Sequence, residues 1–367
     1  MNIEKLFPIK KNCLYFNFSS DGPLPDPARR AITLAAEKRM NVGMIDVKKQ
    51  TALYEDIRSE LSRLFKSKAD NFAFVKNTSE GVLLALLALN IKEDENYIVA
   101  EDAFPTTVKV MENHCKGRMR KVKINSPVNI CDQVAAAMDE KTKVIVLDWV
   151  HYFSGKIVDL ERLTEIAGKN NTFTIIDGIQ GAGALNIELD KSGVDFFFSA
   201  GHKWMLATQG TGFIYAADKV WERVQRKAFG WLGYEWKDFS DFDIKAELRP
   251  GAAVFEYGTR SFSAGTGFLE ALKVINERGI ENIEAHNRRL RRFFVEEIGK
   301  KGYETIDNHN IRSASIVPFK SPGVDSKLLK RRLDEKNIKV ALRNGYIRAS
   351  FHFINDKQEI EKFIDIL

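Results

Sequence analysis

The chain has 367 residues, of which 44% are apolar and 29% charged, and a formal net charge of +6. This length permits two domains with cores that need neither disulfides nor metals. The small charge, with Lys/Arg interleaved among Asp/Glu, argues against nucleic acid as a partner. Cys13, Cys115 and Cys131 show no metal-ligand spacing and no pairing pattern, which fits a reducing, cytoplasmic compartment. The start of the chain lacks the apolar core of a signal peptide, and the longest apolar run, Gly81 to Leu89, is far too short to cross a membrane.

Short apolar, often β-branched runs at 71–75, 97–100, 143–148, 172–177, 195–199 and 212–215 read as strands. Between them, 79–90, 107–115 and 160–169 read as helices. Such alternation predicts an α/β fold with a mostly parallel sheet and crossover helices. Several of the runs lack polar alternation, as expected of a sheet covered on both faces. Past Gly267 the pattern changes. A charged helix at 280–301 precedes a strand at 314–317, a helix at 327–336, a strand pair near 339–341 and 346–350, and a last helix at 357–366. This predicts a large domain over 17–275 and a smaller α+β domain over 276–367 with the arm 1–16. A ligand is expected at the carboxyl ends of the large-domain strands, near the cleft between the domains.

Three segments at element ends carry candidate chemistry. Lys203 lies in Gly-His-Lys-Trp after an apolar strand, where desolvation lowers the pKa of an amine and makes it a nucleophile toward an aldehyde. Asp177 closes the strand Thr-Ile-Ile, where a buried carboxylate needs a partner. A protonated pyridine nitrogen would be one, and a helix N-cap is the plainer alternative. Asn77, Thr78, Ser79 and Gly81 open a helix, where free N–H groups and the helix dipole suit a phosphate, or where the polar residues simply cap an apolar helix. The glycines of 181–183 and 210–212 do not make a dinucleotide fingerprint and read as turns.

Taken together these segments resemble the class V aminotransferase family, which has the fold type I architecture of the pyridoxal-phosphate enzymes. Asp177-Gly-Ile-Gln180 resembles its Asp-x-x-Gln motif, and Ser199-Ala-Gly-His-Lys-Trp-Met with Gln209-Gly-Thr-Gly-Phe its lysine segment. Phe255-Glu-Tyr-Gly-Thr-Arg260 resembles its Gly-Thr segment, and Arg348-Ala-Ser-Phe-His-Phe-Ile-Asn355 its C-terminal arginine segment. The resemblance implies an enzyme with pyridoxal 5′-phosphate as cofactor and an amino acid as substrate. Lys203 would be the imine lysine and proton carrier, Asp177 the partner of the ring nitrogen, and Gln180 that of the ring hydroxyl. Thr78, Ser79 and His202 would hold the phosphate, and Arg348 the substrate carboxylate. Thr259 would reach the phosphate of the neighbouring subunit in a homodimer.

There are departures from the pattern. Val340 to Arg348 holds no cysteine and has no room for the catalytic loop of cysteine desulfurases. Ala103-Phe-Pro-Thr-Thr107 is more similar to the kynureninase and isopenicillin N epimerase branches, with Phe104 stacking on the cofactor ring. Tyr152 stands where desulfurases keep an asparagine, and Ala200 where a serine usually binds phosphate, leaving Ser199 as a candidate replacement. Aminotransferase-type chemistry is the first expectation. A C–S or C–C lyase, an epimerase, or a cofactor-binding protein without turnover are the alternatives. His151 reads either as a neighbour of the cofactor or as a structural histidine, and Arg343 as a second carboxylate ligand or a surface residue. Trp231, Trp236, Phe239 and Phe242 read as substrate mouth, subunit interface or packing.

Overall fold

The apolar runs form a seven-stranded sheet. Its strands are β1 Phe72–Phe74, β2 Asn96–Ala100, β3 Arg118–Val122, β4 Thr142–Asp148, β5 Phe173–Asp177, β6 Phe196–Ala200 and β7 Gly212–Ala216, in the order β3-β2-β4-β5-β6-β7-β1. All neighbours are parallel except β7, which runs antiparallel to both β6 and β1. The expected mostly parallel α/β sheet is therefore present. This computed structural model describes residues 2–43, 46–126, 128–236, 246–306 and 312–367, and Phe239 and Phe242 lie outside them.

Strand β3 has no counterpart among the predicted runs. Its sequence, Arg-Met-Arg-Lys-Val, lies at the sheet edge and is mostly solvent-facing, so charge replaces the apolar signal there. Helices α1 Asp26–Val42 and α2 Val47–Phe65, also absent from the sequence reading, pack on α7 Phe262–Arg278. Helices α3 Thr78–Leu89, α4 Pro105–His114, α5 Ile130–Ala137 and α6 Leu160–Lys169 follow strands β1 to β4. Helix α3 lies so close to β6 that a Cβ on Gly81 would meet Phe198 at 2.6 Å.

The C-terminal part forms a four-stranded antiparallel sheet. Its strands β8 Glu304–Thr305, β9 Ile316–Lys320, β10 Ala341–Arg343 and β11 Tyr346–Ser350 lie in the order β10-β11-β9-β8. Helices α8 Ile280–Lys300, α9 Ser326–Glu335 and α10 Lys357–Ile366 complete this part. It has its own core around Phe294, Phe319, Phe351 and Phe363, which Phe16 joins from the N-terminal arm. The segment expected as one strand at 339–341 divides in two. Ile338–Lys339 pairs in parallel with Leu14–Tyr15, and Ala341 onward pairs with β11. Among the described residues no helix is long and apolar enough to cross a membrane.

Candidate active site

Strands β4, β5 and β6 end side by side, and their carboxyl ends open into a cavity of about 250 Å³. Nine of the residues singled out by sequence line it: Thr78, Phe104, Tyr152, Asp177, Gln180, His202, Lys203, Arg343 and Arg348. Ser19, Ser20 and Ile179 complete the wall.

Lys203 sits in the turn after β6, its Nζ 5.6 Å from the centre of the Phe104 ring. Burial lowers its pKa to about 8; Asp177 opposes the shift and Arg348 adds to it. Asp177 is 2% exposed, and its pKa is pushed up to about 6 by burial, against an N–H bond from Ile179 (2.9 Å) and the charge of Lys203. It makes no ion pair among the described residues. An aspartate in this state favours a cationic partner. The helix-cap alternative for Asp177 covers only its Ile179 bond, since no long helix follows.

Gln180 is locked from both sides. Its Oε1 accepts from the Trp204 indole at 2.9 Å and its Nε2 donates to the Ser19 carbonyl at 3.0 Å. Thr78 and Ser79 are the first two residues of α3, and their N–H groups lie ahead of the first intrahelical bond. Asn77 caps the helix by accepting from Glu80 N–H at 2.9 Å. His202 lines the same cavity, with its pKa lowered first by burial and then by Lys203.

Ser19 and Ser20 went unnoticed in the sequence because a short polar segment before the first long helix gives no periodic signal. They belong to a strap, Asn17 to Gly22, that crosses between the two sheets. Ser350 N–H donates to the Phe16 carbonyl at 2.8 Å, Ser19 N–H donates to Ser350 Oγ at 3.0 Å, and Gly22 N–H donates to the His202 carbonyl at 2.7 Å. A Cβ on Gly22 would lie 2.0 Å from the Lys203 carbonyl oxygen, so only glycine permits this approach. Arg348, 2% exposed on β11, donates from Nη1 to the Tyr152 carbonyl (2.6 Å) and from Nη2 to Ser20 Oγ (2.8 Å). Its Nε and the Ser19 hydroxyl are buried without a hydrogen-bond partner among the described residues.

Other sequence candidates place their side chains elsewhere. The Ser79 side chain is exposed, with its hydroxyl 3.4 Å from that of Thr106. Ser199 is fully buried and turns its hydroxyl to the Ala200 carbonyl (3.2 Å), because alternation along β6 aims it away from the cavity. It therefore does not substitute for the serine missing at Ala200. Thr259 borders a second cavity of about 320 Å³, shared with Lys76, Tyr257 and Arg260. The loop that carries it is anchored by the buried Glu256, which pairs with Arg58, Arg260 and Arg249 and accepts Phe74 N–H. His151 does not line the first cavity. Its ring nitrogens lie 2.8 Å from Ser154 Oγ and 2.9 Å from the Asp102 carbonyl, a structural role. Trp231 and Trp236 lie beside each other, with the Trp236 indole donating to the Trp231 carbonyl, and neither lines the cavity.

A family model described as aminotransferase class V matches residues 37–363. The chain belongs to the class V aminotransferase family. This class V chain is 23% identical to an uncharacterised aminotransferase of Bacillus subtilis over 364 residues, covering 99% of the chain and 95% of the relative. It is 26% identical to an isopenicillin N epimerase of Streptomyces clavuligerus over 376 residues, covering 96% and 93%. Its fold superposes on the apo structure of a cysteine desulfurase from Thermococcus onnurineus with a TM-score of 0.86 at 21% identity, covering 100% and 96%. Membership makes the protein an enzyme of the pyridoxal-phosphate class. The cavity fits that cofactor: a buried amine faces a ring-bearing wall, a buried aspartate makes no ion pair among the described residues, and a helix N-terminus suits a phosphate.

Proposed function

We propose that this protein is a cytoplasmic aminotransferase-type enzyme that binds an amino acid by its α-amino and α-carboxylate groups, with Lys203 at the reacting carbon. The observation that carries this reading is the buried Lys203 amine, whose pKa is lowered to about 8 so that a reactive neutral fraction is within reach of mildly alkaline pH, in a cavity it shares with Asp177 and Arg348. When bound, pyridoxal phosphate supplies an aldehyde for amines and a ring that takes up the electron pair left by a departing α-proton.

The side chains divide the work. Lys203 would hold the cofactor through its amine and would move the α-proton of the substrate. Asp177 would hold a proton at the ring nitrogen, which would give its buried carboxylate a cationic partner. Gln180, fixed by Trp204 and Ser19, directs its remaining amide hydrogen at the ring hydroxyl. Thr78 N–H, Ser79 N–H and His202 would hold the phosphate. Phe104 covers the ring face but carries no proton. The guanidinium of Arg348 takes the substrate carboxylate, giving its orphan Nε–H an acceptor.

No cysteine lines the cavity, which supports a route without a cysteine persulfide. The Cys131 thiol is instead pushed up to about 11 by burial and lies 3.6 Å from the Asp159 carbonyl. The protein would act as a homodimer in which Thr259 faces the cofactor phosphate of the other copy; its place at the open second cavity supports this.

The purified protein with pyridoxal phosphate is expected to absorb in the visible, and Lys203→Ala to lack that band. Adding amino acids should convert the band to that of the aminated cofactor. Release of sulfide, alanine or pyruvate without that conversion would favour a lyase, and an unchanged spectrum in the Lys203→Ala protein would sink the lysine assignment.

A further inference from the structure

The cavity lining holds a cationic side chain to which the reading proposed above gives no role. The lining has three cationic side chains, Lys203, Arg343 and Arg348, and one carboxylate, Asp177. Lys203, Asp177 and Arg348 are already engaged in the reading proposed above. Arg343 is not. It is exposed, makes no ion pair among the described residues, and donates to the Leu342 carbonyl at 3.1 Å.

The hairpin fixes where this surplus guanidinium stands. Arg343 on β10 faces Tyr346 on β11, and Ala341 faces Arg348. All four therefore share one face of the sheet, and Arg343 is the diagonal neighbour of Arg348, at about 7–8 Å between backbones. The turn between them is Asn344-Gly345, with φ of 50° and 79°, a tight reversal that holds both strands in register. Two like charges are thus presented to one cavity by a short rigid hairpin, which is unfavourable unless anions occupy both. They also differ in setting. Arg348 is buried and tied to Tyr152 and Ser20, whereas Arg343 stands at the rim with its guanidinium largely uncommitted.

We propose that Arg343 binds an anionic group at the end of the substrate side chain, so that the enzyme selects amino acids with a second acid group. This rests on the reading in which Arg348 takes the α-carboxylate. The acid could be a carboxylate, as in aspartate or glutamate, or a phosphate, as in phosphoserine. Both offer oxygens to a guanidinium fork.

The test uses the cofactor-loaded protein and follows amino-acid binding by the change in cofactor absorption and by calorimetry. Aspartate, glutamate and phosphoserine are titrated beside the neutral alanine, asparagine, glutamine and serine. At least one acidic ligand should bind about tenfold more tightly than its neutral counterpart, and which one does so distinguishes carboxylate from phosphate. Arg343→Gln should erase that preference and leave the affinity for alanine unchanged, while Arg343→Lys should keep part of it. Equal binding of acidic and neutral ligands by the unaltered protein would overturn the proposal, with the Arg348 reading intact. So would an Arg343→Gln protein that loses affinity for all ligands alike, which would make Arg343 a second α-carboxylate ligand. If Arg348→Gln left every affinity unchanged, the underlying site reading would fall, and this proposal with it.

Discussion

Asp148 and Asp177 lie directly opposite each other at the ends of β4 and β5, both almost wholly shielded from water, and only Asp177 faces the cavity. Asp148 lies behind the wall, where its two oxygens accept the Phe104 N–H at 3.2 Å and the Thr107 hydroxyl at 3.5 Å. Burial and the neighbouring Asp177 raise its pKa well above the ordinary range. One carboxyl thus holds the wall while the other waits for a cation.

Asp177 should destabilise the protein when no cofactor is bound. Its folded pKa, about 6, exceeds the ordinary value of 3.8, so the folded state binds the proton more tightly. The penalty is absent below about pH 4, grows as the pH rises through 6, and is then constant. Asp177→Asn is therefore expected to stabilise the cofactor-free protein by about 3 kcal/mol at pH 8 but not at pH 4, read as a higher melting temperature, while weakening cofactor binding. A lower melting temperature at pH 8 would contradict this.

Lys203 should set the pH dependence of cofactor capture. Below its pKa of about 8 the amine is mostly protonated and inert; above it the amine is free. Uptake of pyridoxal phosphate by the cofactor-free protein should accelerate as the pH rises to about 8 and then level off. A rate that kept climbing to pH 10 would mean an ordinary, solvated lysine.

Arg348→Gln should weaken amino-acid binding about a hundredfold, corresponding to about 3 kcal/mol for a charge-assisted pair, and leave cofactor affinity nearly unchanged. Titrations by absorption separate the two. A loss shared equally by cofactor and amino acid would mean that the arginine only supports the wall through Tyr152 and Ser20.

Asp148 can be tested by shape. Asp148→Asn keeps an acceptor for Phe104 N–H and should change little, as expected if the acid is already protonated. Asp148→Ala leaves that N–H unsatisfied, at a cost of about 1–3 kcal/mol, and should shift the absorption maximum of the bound cofactor because Phe104 moves. An unshifted maximum in the alanine variant would remove Asp148 from any role at the ring.

Glu256 is buried among Arg58, Arg249 and Arg260, whose charges outweigh burial and hold its pKa below the usual range. Its stabilising effect is thus present above the unfolded pKa and lost as the pH falls through the lower folded one. Glu256→Gln should cost about 3–5 kcal/mol at pH 7, read by denaturant unfolding, because the arginines lose their shared counter-ion. A stability change below about 1 kcal/mol would show the cluster to be well solvated.

Much of the site was legible because the strands that build it are buried on both faces. The runs ending at Asp177 and Ala200 announce themselves by composition, and polar residues at their ends stand out against it. Strand β3 escaped because an edge strand can be charged. Ser199 was an attractive replacement at Ala200 by type alone, but strand alternation sends it behind the sheet. Ser19 and Ser20 escaped for another reason: nothing local marks them, and they enter the cavity only through pairing with β11, more than 300 residues away along the chain.

The strap from Asn17 to Gly22 has one more consequence. It is bonded at one end to Ser350 on the small sheet and at the other to the His202 carbonyl beside Lys203, and in between it supplies the hydroxyl that holds Arg348. Any swing of the small sheet as a rigid piece must pull on this tether. A displacement of one sheet from the other would therefore strain the bond that holds Arg348, which couples the two through six residues near the start of the chain.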